Sequence, residues 1–230
     1  LEATGPRTHT RPVAGMPLIE IESPTFEGSR FAIKQSVDIV LSLILVVVLS
    51  PVILITALAV KFGDGGPVFF KQERHGRDGK IFNMLKFRSM RVGADKQHEE
   101  LKKLNEAELV NTNMLKLPND PRITKVGKFI RRYSIDELPQ LFNVISGQMS
   151  LVGPRPPLPN EVANYEQHVY RRLLVKPGIT GIWQVSGRAN LSWEETVRLD
   201  LDYVENWSLI GDLVILMKTV GVVFNARGAY

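Results

Sequence analysis

The chain has 230 residues, a length that suits one domain of ordinary size, and 44% of them are hydrophobic, which is enough to form a core. It contains no cysteine, so disulfide bonds and thiolate metal sites are excluded. A net charge of +5 is typical of proteins that bind nucleic acid, anionic membranes or phosphorylated substrates. The apolar segment described below argues against nucleic acid.

The first 30 residues are rich in Thr, Pro and Gly around one short apolar patch, Leu18–Ile21. This composition is typical of a linker, and we expect the patch to be the last strand of a preceding region. The chain begins with Leu1 rather than methionine. We therefore expect it to be the C-terminal part of a longer protein.

The segment from Ile39 to Val60 contains 22 residues without an ionisable side chain. Because hydrocarbon cannot hydrogen-bond a peptide group, such a segment satisfies its backbone as a helix, and about 20 residues are enough to cross a bilayer core. A helix buried in a large soluble core is the alternative, but such helices are usually shorter and have a polar face. The segment therefore predicts a membrane helix, flanked by Lys34, Asp38 and Lys61.

Ser50 and Pro51 lie in the middle of this segment. Proline removes one helical hydrogen bond and clashes with the preceding turn, so we expect a kink. The Ser50 hydroxyl can donate to a carbonyl that the proline frees. Two shapes remain open: a bent helix that spans the membrane, and a re-entrant helix that returns to the face it entered. Basic residues on both sides of the segment favour the re-entrant shape.

Glycines and a proline at residues 63–67 end this helix, and two predicted strands follow. The strands are Val68–Gln72 and Lys80–Met90, and Gly76–Gly79 between them is typical of a hairpin turn. Asp95–Val110 has the pattern of a highly charged helix, whose charges are most simply a solvated face.

A turn at residues 118–121 precedes two further predicted helices. The first covers the basic stretch Lys125–Arg132. The second begins at Ser134, ends at Gly147 and has one apolar face. The last apolar segment, Trp207–Phe224, is interrupted by two charges, which favours an amphipathic helix in the membrane interface over a second span. The apolar face of the second helix consists of Leu138, Leu141, Phe142 and Ile145.

Asp136 and Glu137 are adjacent carboxylates at the start of the second of these helices. Ser134 to Glu137 matches the capping box, in which the glutamate reaches back to the backbone of the serine. Acidic residues also favour the positive end of a helix dipole. Taken alone, the pair favours this structural interpretation, but it is also a candidate for chemistry, because several arginines without evident partners lie nearby. Both interpretations remain open at this point.

Several basic residues are candidates for binding an anion. Lys86 and Arg88 are two residues apart in a predicted strand and therefore point to the same face, although exposed strands often carry such charges. Arg155 lies between prolines in a stiff loop, which suits a fixed anion such as phosphate. Arg188 follows a glycine in a second loop, and loops held by a scaffold often carry binding residues. The histidines lack metal-ligand spacing and are expected at the surface; they are His9, His75, His98 and His168.

Five motifs in this order make the chain resemble the bacterial sugar transferases, the monotopic phosphoglycosyl transferases that begin polysaccharide and glycan assembly. The resemblance extends from about Phe31 to Tyr230, and the set is specific although each motif alone is weak. The residues before Phe31 resemble the tail of the region that precedes the catalytic domain in larger members. The motifs are Lys86-Phe87-Arg88-Ser89-Met90, Asp120-Pro121-Arg122-Ile123-Thr124, Ser134-Ile135-Asp136-Glu137-Leu138-Pro139-Gln140, Val152-Gly153-Pro154-Arg155-Pro156 and Lys176-Pro177-Gly178-Ile179-Thr180-Gly181.

The resemblance implies an enzyme that moves a sugar 1-phosphate from a UDP-sugar to polyprenyl phosphate and releases UMP. Asp136 is then the nucleophile that attacks the β-phosphate and carries the phosphosugar. Glu137, together with Asp136, holds Mg²⁺ against the diphosphate. The residues that match family positions around the phosphates or the nucleotide are Lys86, Arg131, Arg155 and Arg188, and Arg88 is grouped with them as a candidate.

These expectations describe an α+β fold that is mostly helical, with a re-entrant membrane helix broken at Ser50 and Pro51, a small β-hairpin and amphipathic interfacial helices. Its predicted parts are a linker over residues 1–30, the membrane helix over 31–62 and a catalytic domain over 63–230. We expect the catalytic domain on the cytosolic face of the bacterial inner membrane. The expected partners are a UDP-sugar, polyprenyl phosphate and membrane lipids, without nucleic acid, and a homodimer is left open.

Two other functions remain open. The basic loops of a non-catalytic membrane module would bind anionic headgroups or a partner, without turnover. A different transferase would move the sugar alone and release UDP instead of UMP, so the released nucleotide separates the two enzymes. No residue decides whether the sugar is glucose, galactose or an N-acetylated sugar.

Overall fold

The computed structural model describes residues 8–13, 16–21, 28–94, 121–187 and 191–224. Two strands, β1 (Thr8–Val13) and β2 (Met16–Ile21), form an antiparallel pair ahead of the long helix. β2 contains the apolar patch that was predicted as a strand. The predicted charged helix over residues 95–110 and Arg188 lie outside the described residues.

The membrane segment forms one helix, α1 (Ser29–Asp64). By length and composition, α1 is the one helix among the described residues that could cross a membrane. Only 11% of its apolar 18-residue stretch is buried. A helix in the core of a soluble protein would bury most of such a stretch. The predicted helix is therefore confirmed, and its outward apolar surface is what a lipid environment requires.

Pro51 lies inside α1 and cannot donate a backbone hydrogen bond to the carbonyl of Val47, four residues earlier. The Ser50 hydroxyl donates to that carbonyl oxygen at 2.7 Å. The predicted compensation by Ser50 is thus confirmed. Whether α1 spans the bilayer or returns to the same face stays a prediction.

The predicted hairpin follows, as β3 (Phe69–His75) and β4 (Ile81–Phe87) with a 3₁₀ turn at Arg77–Gly79. The strands are antiparallel, with Phe70 opposite Lys86 and Arg74 opposite Phe82. The first strand continues to His75 rather than ending at Gln72, and the second ends at Phe87 rather than Met90. The continuation matters because it places Arg74 inside the sheet.

The basic helix is confirmed as α2 (Lys125–Arg132), but the predicted helix from Ser134 to Gly147 is wrong in its first part. Ser134 has a left-handed backbone (φ 54°) and makes no capping bond, and a 3₁₀ turn at Ile135–Glu137 follows it. Only then does α3 (Gln140–Ile145) begin. The Glu137 side chain pairs with a lysine instead of returning to Ser134, so the capping box does not form.

The apolar face predicted for this helix is also partly wrong, because Phe142 is exposed while Asn143 is buried. The Asn143 amide accepts a hydrogen bond from the Leu85 backbone at 2.9 Å and donates one to the Asn83 carbonyl at 2.8 Å. A polar side chain therefore attaches α3 to β4. Because Asn143 satisfies backbone hydrogen-bonding groups of that strand, the face of α3 that carries Asn143 turns toward the protein interior.

The rest of the domain consists of short elements and two longer helices. β5 and β6 pair in parallel, and the longer helices close the domain against α1. The main core contains Met84, Leu141, Met149, Leu151 and Ile215. The elements are β5 (Ser150–Val152), α4 (Pro159–Val162), a 3₁₀ helix (Gln167–Leu174), β6 (Gly178–Thr180), α5 (Ile182–Ser186), α6 (Trp193–Glu205) and α7 (Leu209–Phe224).

α7 reverses the usual order of polar and apolar surfaces. Asp212 is buried and accepts hydrogen bonds from Lys34 of α1 at 2.7 Å and from the Tyr203 hydroxyl at 2.9 Å. Ile210 and Met217 of the same helix are largely exposed. Asp212 faces the protein, whereas Lys218 and several apolar side chains face outward. An exposed apolar surface agrees with the predicted interfacial helix, whose place in a membrane stays a prediction.

Candidate active site

Asp136 lies in the tight turn between α2 and α3, and 8% of its surface is exposed. Burial raises the pKa of Asp136 to about 6, and the charge of Glu137 adds to the shift, whereas Lys86 and Arg131 oppose it. The left-handed Ser134 allows the turn to form. Carboxylates with a pKa shifted this far by burial and a neighbouring charge are found most often at functional sites, which makes Asp136 a candidate catalytic residue.

Glu137 points toward the hairpin. Its Oε1 accepts a hydrogen bond from the Lys86 ammonium of β4 at 2.7 Å. The structure thus brings two of the predicted site residues into contact, although they are 51 positions apart. The contact also explains why Glu137 does not cap a helix.

Arg155 lies in the loop after β5. Its Nη1 contacts the Glu161 carboxylate at 3.1 Å, and the same carboxylate accepts a hydrogen bond from the Leu158 backbone. Two bonds attach this loop to the hairpin: Arg74 Nη1 donates to the Pro156 carbonyl at 2.9 Å, and the His75 backbone donates to the Pro157 carbonyl at 3.0 Å.

The glycines of two motifs make this loop possible. A Cβ atom on Gly153 would lie 2.6 Å from the carbonyl oxygen of Lys176, and one on Gly178 would collide with the backbone of Gly153. The two motifs pack against each other at the start of the Arg155 loop. Only glycine permits that approach.

A buried ion pair, Arg172 with Asp200, also contacts the Arg155 loop. Arg172 contacts Asp200 at 2.5 Å, and its guanidinium lies over the rings of Tyr165 and Trp193 at 5.7 and 5.5 Å. Asp200 also accepts a hydrogen bond from the backbone of Arg155. Burial raises the pKa of Asp200 to about 6, although Arg172 opposes the shift.

Several of the residues above line one cavity of about 1000 Å³; Asp136 is not among its lining residues, but its neighbour Glu137 is. Lys86, Glu137 and Arg155 line its charged end, and so does Arg74, which the sequence did not single out. The register of the hairpin places Arg74 there. Arg74 lies opposite Phe82, and Phe82 and Lys86 are an even number of residues apart in β4, so Arg74 and Lys86 lie on the same face of the sheet.

The structure separates Arg88 from this group. Its guanidinium makes a two-pronged ion pair with Asp64 at the end of α1, with one of the two contacts at 2.9 Å. Arg88 is buried and does not line the cavity, so it attaches α1 to the hairpin instead of facing a ligand. The expected role of Arg88 in binding phosphate is therefore not supported by its position.

The other predicted residues have mixed outcomes. Arg131 is half-buried and close enough to act on the charge of Asp136. His168 is exposed as expected. His75 is half-buried, with Nδ1 2.9 Å from the carbonyl oxygen of Gly79, so the expectation that it lies at the surface is wrong.

The remaining walls of the cavity are apolar and come from two helices that also have exposed apolar faces. A site of this kind suits a ligand with one charged end and one hydrocarbon part. The wall residues from α1 are Leu41, Leu45 and Leu49, and those from α7 are Leu213, Leu216, Met217, Val220 and Val223.

Asp136 and Glu137 are the acidic residues available to a metal ion. Within the described ranges, no group of three or more histidine, aspartate or glutamate side chains could hold one. Two carboxylates are nevertheless enough for Mg²⁺ when substrate phosphates complete its shell. The pair fits a cation, because the charge of Glu137 disfavours ionised Asp136 and a cation between them would relieve that repulsion.

Comparison with known proteins places these features in a family. A family model described as "Bacterial sugar transferase" matches residues 29–226. The chain is 47% identical over 204 residues to the "UDP-galactose-lipid carrier transferase" of Erwinia amylovora, which covers 88% of this chain and 42% of the relative. It is 43% identical over 198 residues to the "Exopolysaccharide production protein ExoY" of Sinorhizobium fredii, covering 86% of this chain and 88% of that protein.

A third relative is the "UDP-glucose:undecaprenyl-phosphate glucose-1-phosphate transferase" of Escherichia coli, 40% identical over 229 residues. That match covers 94% of this chain and 45% of the relative. The chain thus spans less than half the length of two of these relatives and most of the third. The names of the relatives include both galactose and glucose.

Proposed function

The chain belongs to the bacterial sugar transferase family, and we propose that it moves a sugar 1-phosphate from a UDP-sugar to a polyprenyl phosphate and releases UMP. The observation that carries this proposal is the cavity, in which a carboxylate beside Asp136 and several cations lie at one end and hydrocarbon lines the rest. One substrate of this reaction is a charged diphosphate, and the other is a phosphate on a long apolar chain.

The first step uses Asp136. Its ionised carboxylate attacks the β-phosphorus of the UDP-sugar, the bond from that phosphorus to the bridging oxygen breaks, and UMP leaves with the bonding electrons. The product is a sugar phosphate joined to Asp136. Lys86, Arg74 and Arg155 line the cavity together with Glu137, the neighbour of Asp136, and would provide the positive charge that phosphoryl transfer requires.

The second step regenerates the carboxylate. A phosphate oxygen of the polyprenyl phosphate attacks the same phosphorus, and the bond to Asp136 breaks. The product is a polyprenyl diphosphate sugar. Using one carboxylate twice lets one cavity serve a soluble donor and a membrane-bound acceptor in turn.

Asp136 and Glu137 would hold Mg²⁺, which supplies positive charge on the diphosphate oxygens when bound. Lys86 holds Glu137 from the hairpin side at 2.7 Å and so fixes its carboxylate. Burial keeps the Asp136 carboxylate out of bulk water, where a hydrated carboxylate would be a weaker nucleophile.

The apolar walls from α1 and α7 would take the isoprenoid chain of the acceptor. Both helices present apolar side chains outward as well, such as Val47, Ile55 and Ile210. A chain in the membrane could therefore reach the cavity without crossing water. We accordingly place the protein at the bacterial inner membrane with the site on the cytosolic face, at the first membrane step of polysaccharide assembly.

The test is to offer the purified protein a panel of UDP-sugars with polyprenyl phosphate and to identify the nucleotide that is released. Release of UMP is expected; release of UDP would mean that the sugar moves alone, and release of neither from any donor would leave only a binding module. Without acceptor, the covalent mechanism predicts one UMP per protein and a matching gain in protein mass.

Two variants make this test specific. Asp136→Asn should abolish UMP release while the protein still folds and binds vesicles. Asp202→Asn, an exposed aspartate on α6, is the matched control and should react like the unmodified protein. Normal UMP release by Asp136→Asn would rule out the covalent mechanism.

A further inference from the structure

Arg74 occupies a position that its hydrogen bonds do not explain. It lies in β3 opposite Phe82, lines the charged end of the cavity, and has 7% of its surface exposed. An arginine that is this buried normally has a carboxylate partner. Among the described residues, Arg74 has none within ion-pair distance.

The bonds that Arg74 does make go to neutral groups. Its Nη1 donates to the Pro156 carbonyl at 2.9 Å, and its Nη2 donates to the Gln72 side chain at 2.7 Å. Its Nε is buried and has no hydrogen-bond partner in the described part of the chain. A guanidinium has five N–H donors, so three of them remain for a ligand.

The surroundings also leave the charge of Arg74 uncompensated. Burial and the nearby guanidinium of Arg155 lower the pKa of Arg74 to about 10, so it is still protonated at neutral pH. The two carboxylates that raise the pKa of Arg74, Glu161 and Glu137, already pair with Arg155 and Lys86. Two arginines therefore face one cavity, and neither nearby carboxylate pairs with Arg74, because Glu161 pairs with Arg155 and Glu137 with Lys86.

Arg155 has donors to spare as well. Both of its contacts with Glu161 use the same nitrogen, Nη1, at 3.1 and 3.4 Å. A phosphoryl group offers several oxygens at the spacing of guanidinium donors. An anion between the two arginines would offset their repulsion and satisfy the buried donors together.

We propose that Arg74 and Arg155 together form an oxyanion subsite that binds one phosphoryl group of a substrate. The identity of that substrate rests on the proposed function: the phosphoryl group belongs either to the diphosphate of the UDP-sugar or to the phosphate of the acceptor lipid. The competing role for Arg74 is structural, because its bond to Pro156 holds the loop that carries Arg155.

Binding of inorganic pyrophosphate to the full-length protein in detergent tests the subsite without turnover. Losing a charge-assisted bond to phosphate should weaken binding about tenfold to hundredfold in Arg74→Gln. Arg171→Gln is the matched control, because Arg171 pairs with Glu205 at the surface outside this cavity, and it should bind pyrophosphate normally. Gln72→Ala keeps the charge of Arg74 but removes its Nη2 acceptor, and it should lose less affinity than Arg74→Gln.

Two further arms identify the source of the phosphoryl group. A weaker affinity of Arg74→Gln for UDP assigns the subsite to the donor, and a raised KM for undecaprenyl phosphate alone assigns it to the acceptor. Either result supports the subsite. Pyrophosphate affinity, UDP affinity and acceptor KM all within about twofold of the unmodified protein would overturn it.

If Arg74 only holds the loop in place, its variants should give different results. Equal losses of kcat in Arg74→Gln and Gln72→Ala, with pyrophosphate affinity unchanged, would overturn the subsite and assign Arg74 to the loop. If Arg74→Gln does not fold, Arg74→Lys replaces it: reduced affinity for pyrophosphate supports the proposal, since lysine lacks the planar fork, and full affinity overturns it. Arg74-dependent pyrophosphate binding in a protein that releases no UMP would refute the proposed function and leave the subsite standing.

Discussion

In the proposed mechanism Asp136 must be ionised to attack phosphorus, so the rate of UMP release should fall below about pH 6. Burial and the charge of Glu137 raise the pKa of Asp136 to about 6 from its ordinary value of 3.8. With that pKa, roughly nine tenths of the carboxylate is ionised at pH 7 and roughly one tenth at pH 5. The rate should therefore fall about tenfold between pH 7 and pH 5.

This loss should not come from unfolding. Since the folded protein holds the proton of Asp136 more tightly than the unfolded chain does, this group stabilises the fold increasingly as the pH falls from about 6 to about 4. That stabilisation is lost as the pH rises through the folded pKa. A circular dichroism melt at pH 5 should accordingly show a folded protein.

The assay is single-turnover UMP release without acceptor, from pH 5 to pH 8, at a fixed concentration of Mg²⁺. Glu137→Gln supplies the perturbation: removing the neighbouring charge should lower the pKa of Asp136 and move the midpoint to lower pH, even where the rate itself is reduced. Glu205→Gln, at the surface, is the control and should leave the midpoint unchanged. A flat profile, or a midpoint that rises in Glu137→Gln, would refute the assignment of Asp136.

Three further perturbations test other parts of the structure. Arg155→Ala should lower kcat/KM about tenfold to hundredfold through a lost phosphate contact, whereas Arg171→Ala, at a surface pair with similar partners, should not, and equal small effects would undo the phosphate site. Lys34→Met leaves Asp212 buried without its cation and should cost about 3–5 kcal/mol of folding stability, or roughly 6–20 °C in Tm, so an unchanged melt would contradict the role of this pair. Pro51→Leu restores a helical N–H and should straighten α1 and carry its N-terminal side across the membrane. Single cysteines at positions 29 and 89, labelled with an impermeant reagent, report the side of the membrane on which each position lies. Labelling of the two positions from opposite sides in the unmodified protein would reject the re-entrant shape.

The elements that the sequence predicted correctly depend on local signals. The uncharged segment around Pro51 determined α1, and Gly76–Gly79 determined the hairpin, because neither needs a distant partner to form. The turn at Ser134 did not follow from periodicity. A left-handed serine and a 3₁₀ turn interrupt the helical pattern there, and the buried Asn143 then reverses the expected face of α3.

The site residues divide along the same line. Lys86, Glu137 and Arg155 were selected from their motifs, and the structure brings them to one cavity. Arg88 belongs to the same motif as Lys86, yet it pairs with Asp64, because the end of α1 lies beside it in space. Arg74 was missed for the opposite reason: nothing near it in sequence suggests a ligand, and only the hairpin register and the Pro156 loop bring it to Arg155.

Buried hydrogen bonds join α1 to the strand that precedes the Arg155 loop. Lys34 of α1 donates to the carbonyl of Val152 at 3.2 Å, three residues before Arg155, and the Tyr203 hydroxyl of α6 lies 2.9 Å from the same carbonyl oxygen. Ser150 in the same strand donates to Asp38 of α1 at 2.6 Å. In the proposed function, the depth of α1 in the bilayer would therefore set the height of the Arg155 loop. The phosphate of the proposed acceptor would lie at the headgroup level, so these hydrogen bonds would hold the loop at a fixed height relative to that phosphate.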